Sequence, residues 1–210
     1  MEENKYLNDL QHIRQMMRKS TLFLSLSGLS GVLSGVYALI GAIAMYLLIK
    51  QHQLYYPYVY IESKTFKSII AIALAVLVAS LLTAYLFSAR KAKRNGERLA
   101  SPTAKRALYN FAIPLLTGGI LSILLIRNGH YGLLAPITLI FYGLACVNVS
   151  KYTFSDVHYL GITEIILGLL AVYFSGYGLL FWVLGFGFCH IIYGGVMHFK
   201  YEQNKDKNND

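Results

Sequence analysis

Long stretches of this chain carry no charged side chain. Ser20 to Ile49, Ser68 to Ala89, Ala107 to Ile126 and Asn128 to Ser150 contain no Asp, Glu, Lys or Arg. Ile165 to Phe199 is charge-free as well, and it is too long for one span. Ser175-Gly176-Tyr177-Gly178 breaks it. Crossing a bilayer takes about 20 apolar residues at 1.5 Å rise each. The runs are apolar on every face, whereas barrel strands alternate over about 10 residues. Unpaired backbone is not tolerated in lipid, so helices are what remains. The runs predict an all-α, polytopic integral membrane protein with six transmembrane helices, near 21–49, 68–89, 107–126, 131–150, 157–175 and 178–199.

Composition agrees. Of 210 residues, 56% are hydrophobic and 14% charged, and the mean hydropathy is +0.49. A soluble domain carries roughly 25% charge, so this chain lacks the polar surface of one. A disordered chain and a disulfide scaffold are excluded on the same grounds. Cys146 and Cys189 lie inside apolar runs without metal-ligand spacing and read as small packing residues.

Orientation follows from Lys and Arg. Six helices place 15 of the 19 on the side of the termini and four on the other. Cytoplasmic connections retain such residues, so the bias predicts both termini inside (N-in/C-in). The net charge of +9 is then a topology signal and not a nucleic-acid footprint. Ala42-Ile43-Ala44 resembles a cleavage motif, but the apolar run before it exceeds a signal peptide's 7–15-residue core, and helix 1 is expected to be retained.

Three domains result: a cytoplasmic amphipathic segment at 1–20, the transmembrane domain at 21–199 and a charged cytoplasmic tail at 200–210. In the first, Tyr6, Leu7, Leu10, Ile13 and Met17 share one helical side. That face suits the headgroup plane, or packing on the bundle or on a second copy. The loop at 90–106 gathers Arg90, Lys91, Lys93, Arg94 and Arg98. Besides fixing topology, these offer contact to anionic lipid at on the order of 1 kcal/mol per cation. The loop lacks the interleaved aromatics of a nucleic-acid surface. Tyr55, Tyr56, Tyr58 and Tyr60 around Pro57 fit an outer interfacial belt.

Small residues recur at helical spacing: Ser27, Gly31 and Gly35 in helix 1, Gly161 and Gly168 in helix 5, Gly187 and Gly194 in helix 6. Such stripes let backbones approach. Helix 2 offers Ala71, Ala75, Ala79 and Thr83, so helices 1 and 2 are expected to form a tight hairpin. Tyr131-Gly132-Leu133-Leu134 recurs as Tyr177-Gly178-Leu179-Leu180, which suggests that helices 3–4 and 5–6 are parallel repeats.

Glu164 is the one acidic residue well inside a span. A charge at depth is costly and should find a partner. Glu164 lies 13 residues before Tyr177, and His190 lies 13 after it. If the hairpin turns at Tyr177, both sit at equal depth and come within hydrogen-bond reach, directly or through one water. The same arithmetic about Gly129 pairs Asn110 with Asn148. Each pair reads either as glue between helices, worth about 1 kcal/mol, or as a polar site open toward the cytoplasm.

P-loop, His-Glu-x-x-His, Cys-pair and Gly-x-Ser-x-Gly motifs are absent. No enzyme, metal or cofactor is indicated. The expected function is a non-enzymatic sensor or accessory component acting through partners. The alternative is a small transporter or proton-coupled carrier using Glu164 and His190.

Ser25-Leu26-Ser27-Gly28-Leu29-Ser30-Gly31-Val32, Gly187-Phe188-Cys189-His190-Ile191-Ile192-Tyr193-Gly194 and Phe199-Lys200-Tyr201-Glu202 resemble a family of small, uncharacterised bacterial inner-membrane proteins. The resemblance implies the bacterial cytoplasmic membrane and brings no activity or site residue with it.

Overall fold

The computed structural model describes residues 27–55, 63–94 and 101–203. The proposed amphipathic segment, the tyrosines at 56, 58 and 60, Arg98 and most of the tail lie outside them. Among the described residues every regular element is helical. Six of these described helices are long and apolar enough to cross a membrane.

Helix α1 is Gly28–Tyr55, α2 is Ser63–Arg94 and α3 is Pro102–Arg127. Helix α4 is Leu134–Val149, with single 3-10 turns at Tyr131–Leu133 and Ser150–Tyr152. Helix α5 is Ser155–Tyr173. Helix α6 is composite: α-helical over Gly178–Trp182, π over Val183–Cys189, α over His190–His198 and π over Phe199–Gln203.

Helix α2 extends past the apolar run 68–89 at both ends and takes in Lys64, Lys67, Arg90, Lys91, Lys93 and Arg94. Lys and Arg are good helix formers, so the helix does not stop where the apolar run does. Local chemistry sets the other boundaries. Ser101 caps α3, its Oγ accepting from the Ala104 amide at 3.1 Å, with Pro102 entering the first turn. The turns after α3 and α5 use Gly129 at φ 78° and Gly176 at φ 96°, a region that disfavours other residues.

The helices pack in the order α2, α1, α6, then α5 and α4 together, then α3. Glycines govern the closest crossings. A Cβ on Gly161 would lie 2.6 Å from the Gly143 carbonyl oxygen, and one on Gly143 would lie 2.6 Å from that of Gly161. Gly168 meets the Pro136 carbonyl in the same α4–α5 contact. Such approach leaves no room for any side chain and maximises dispersion contact.

Helix α1 packs on α2, as expected, and its glycine stripe seats a further helix. Gly31 faces Gly194, and Gly35 faces the Gly187 carbonyl, so the stripe seats α6 and not α2. Gly28 abuts His198 in the same seam. Helix α2 meets α1 through Ile72 and Val76 against Gly41, and through a 3.3 Å hydroxyl contact of Thr83 with Tyr37. Ala71 and Ala75 are exposed, outside that face.

The starts of α4 and α6 stand side by side, with Gly178 against Ala135. At the other end, Asp156 at the start of α5 holds the end of α6. It accepts from Tyr201 Oη at 2.6 Å and from Lys200 Nζ at 3.1 Å. Phe154 stacks on Tyr201, ring centroids 4.1 Å apart, and Lys91 Nζ stands 5.6 Å above Phe154.

Candidate functional site

Glu164 projects from the middle of α5 into the contact with α4 and α6. It is fully buried, with 0% exposure. Its position follows from the glycines around it. Gly161 and Gly168 bring α5 onto α4, and Gly185 on α6 leaves the space that the carboxyl group occupies. A Cβ at 185 would collide with Glu164 Oε2 and lie 2.5 Å from Leu139 Cδ2.

His190 closes the site from α6. Its Nδ1 lies 3.4 Å from Glu164 Oε1. This approach is not a hydrogen bond. Neither carboxyl oxygen has a hydrogen-bond partner among the described residues. The imidazole is committed elsewhere: Nδ1 lies 3.1 Å from the Gly185 carbonyl oxygen, and Nε2 lies 2.7 Å from Tyr142 Oη. A carbonyl only accepts, so Nδ1 carries the hydrogen and donates it. Nε2 is then the acceptor of the neutral ring, and the Tyr142 hydroxyl donates to it.

The histidine's position depends on the π-helical stretch that ends at Cys189. A π turn carries one more residue than an α turn, and such turns recur at functional positions. Here Gly185 and His190 are five residues apart, so the ring reaches the carbonyl on its own helix. Tyr142, Phe186 and His190 form an aromatic wall, with ring centroids 5.2 Å apart for Tyr142–His190 and 5.8 Å for Phe186–His190. Cys146, one turn beyond Tyr142, is buried, and Cys189 adjoins His190.

The structure therefore brings Glu164 and His190 together. The asparagines are not joined. Asn110 Nδ2 donates to the Arg106 carbonyl of its own helix at 2.8 Å, and no hydrogen bond links it to Asn148 among the described residues. An asparagine amide bonds readily to a carbonyl four residues back, so equal depth does not suffice to pair two of them. Sequence reasoning missed Tyr142 and Gly185. Tyr142 lies 11 residues after Tyr131, near the depth of His190 after Tyr177. The repeated Tyr-Gly-Leu-Leu motif could have revealed it.

A cleft of about 250 Å³ opens at the Gly129 and Gly176 turns, lined by His130, Tyr131, Ala171 and Ser175. Glu164 is not part of its lining. No cluster of three His, Cys, Asp or Glu side chains arranged for a metal occurs among the described residues. Chemically, the site is a carboxyl, an imidazole and a phenol in sequence, a set that can hold and pass protons. No protein-family model, curated protein or solved structure matches this chain.

Proposed function

We propose that this chain is a multi-pass protein of the bacterial cytoplasmic membrane, with both termini inside, that acts non-enzymatically through partner proteins as a sensor or accessory component. The enclosure of Glu164 carries this reading. The side chain is walled in by Gly185 and Leu139 and has no exposed surface. A solute path would need open space at the one acidic group at depth, and the space there is filled. In this reading the basic residues Arg90, Lys91, Lys93, Arg94 and Arg98 offer contact to anionic headgroups. A second copy or another membrane protein is the partner class.

One observation favours a second reading, a proton-coupled carrier. The Glu164 carboxyl lacks a hydrogen-bond partner beside an imidazole, and ionisable groups at depth often mark transport paths.

Flux measurements in liposomes separate the two. Solute uptake driven by a proton gradient and abolished in Glu164→Gln would replace the first reading by the second. Reporter fusions after Ala100 and after Tyr60 test the orientation: cytoplasmic and external signals respectively are expected, and a shared compartment defeats it.

A further inference from the structure

We propose that Glu164 is a proton-binding site and that His190 and Tyr142 are its fixed relay. The inference does not depend on whether the protein acts through partners or carries a solute. Three geometric facts lead to it. The carboxyl group is fully enclosed, and neither of its oxygens is hydrogen-bonded. The imidazole beside it has both nitrogens engaged by neutral groups, a carbonyl and a phenol. The surrounding space is filled by Gly185 and Leu139.

A buried carboxyl without partners calls for a ligand that cancels its charge. A metal ion or an organic cation needs volume and further oxygen donors. A proton needs neither, since it adds no volume and turns the carboxylate into a neutral acid. The groups facing Glu164 from the packed elements are Tyr142 and Cys146 on α4 and Cys189 and His190 on α6. With the imidazole neutral, none of them carries a charge. On α5 itself the nearest acidic residue is Asp156, two turns away and tied to Lys200 and Tyr201.

The relay follows from the tautomer. The ring holds its hydrogen on Nδ1, 3.4 Å from Glu164 Oε1, and accepts from Tyr142 on Nε2. Uptake begins with Glu164 ionised. The Nδ1 hydrogen first turns from the Gly185 carbonyl to Glu164 Oε1; the Tyr142 O–H bond then breaks as Nε2–H forms, and the Nδ1–H bond breaks as the Glu164 O–H bond forms. The phenolate oxygen takes the incoming proton from water. Glu164 gains one proton, and Tyr142 and His190 stay neutral. The ring now carries its hydrogen on Nε2, donated to the Tyr142 oxygen. Tyr142 ends the chain of three groups, so the proton enters through its hydroxyl.

Infrared difference spectroscopy of the full chain in lipid nanodiscs tests this. The expected result is a carboxylic-acid C=O band that shifts in heavy water, disappears reversibly on alkalisation and is missing in Glu164→Gln. Carbon-13 labelling of glutamate carboxyls must shift the same band in the unmodified protein, which keeps the test valid if Glu164→Gln fails to fold. A spectrum with no buried, glutamate-derived acid band at any pH overturns the proton site. Tyr142→Phe should keep the band and slow its deuteration on the order of a hundredfold, the contribution of one positioned proton-transfer group. Unchanged exchange in Tyr142→Phe overturns the relay.

Discussion

Gly185 occupies a position where no other residue fits beside Glu164. The Oε2 atom of the carboxyl group lies where a Cβ at 185 would stand. The two residues belong to different helices, so the missing side chain on α6 and the long one on α5 are complementary in volume.

Gly185→Ala should therefore cost about 1–3 kcal/mol, the usual penalty for overpacking. Glu164→Ala removes the obstacle, so the double variant should be less destabilised than the sum of the singles. Relief will be partial, because the added methyl also meets Leu139 Cδ2 at 2.5 Å. Thermal unfolding of the four proteins in one detergent checks this. Strict additivity would contradict the contact.

The α1–α6 seam offers two neighbouring glycines with opposite expectations. A Cβ on Gly194 would lie 2.6 Å from the Val32 amide nitrogen and 2.8 Å from the Gly28 carbonyl oxygen, both backbone atoms that cannot swing away. Gly194→Ala should separate the helices and lower stability by at least about 1 kcal/mol. A Cβ on Gly195 meets nothing within 4 Å. Gly195→Ala should be neutral or stabilising by up to about 1 kcal/mol through helix propensity. Equal effects in melting experiments would place the seam elsewhere.

At the other end of α6, Asp156 accepts from Lys200 and Tyr201. Lys200 is half exposed, so Lys200→Ala should change stability by about 0–1 kcal/mol and less at high salt. Tyr201→Phe removes a 2.6 Å hydrogen bond and keeps the stack on Phe154. It should cost about 1 kcal/mol and respond little to salt. Thermal midpoints at low and high ionic strength distinguish the two. A larger, salt-sensitive loss in Lys200→Ala would mean that the ion pair dominates.

Some of this was readable from the residues, and the dividing line is physical. The charge-free runs gave six long helices because burial in lipid constrains every face of a helix. Counting 13 residues either way from Tyr177 placed Glu164 beside His190 because rise per residue is nearly constant and the turn at Gly176 is short. A stripe such as Gly31 and Gly35 states that a helix will come close without naming which one, so the seat of α6 on that stripe was not named in advance. The π-helical stretch has no compositional signature. It turns the His190 ring onto the Gly185 carbonyl, and that commitment is why a direct bond to Glu164 is absent. Tyr142 was overlooked because tyrosines are frequent here and most read as interfacial.

Two double-mutant cycles decide which neighbour of His190 matters for stability. Tyr142 Oη stands at 2.7 Å with clear donor and acceptor roles. Glu164 Oε1 stands at 3.4 Å and is not hydrogen-bonded. Tyr142→Phe leaves Nε2 without its donor, and His190→Phe leaves the Tyr142 hydroxyl without its acceptor. Each single change should cost about 1–3 kcal/mol, the range for an orphaned buried polar group. Making both together strands fewer groups than the singles do in sum, so the Tyr142–His190 coupling should fall at about 0.5–3 kcal/mol. Glu164→Gln keeps the shape of the side chain and removes no hydrogen bond, so its coupling to His190→Phe should be the smaller of the two. Unfolding free energies of the wild type, three singles and two doubles give both values. A larger Glu164–His190 coupling would show that the carboxyl group, and not the phenol, fixes the imidazole.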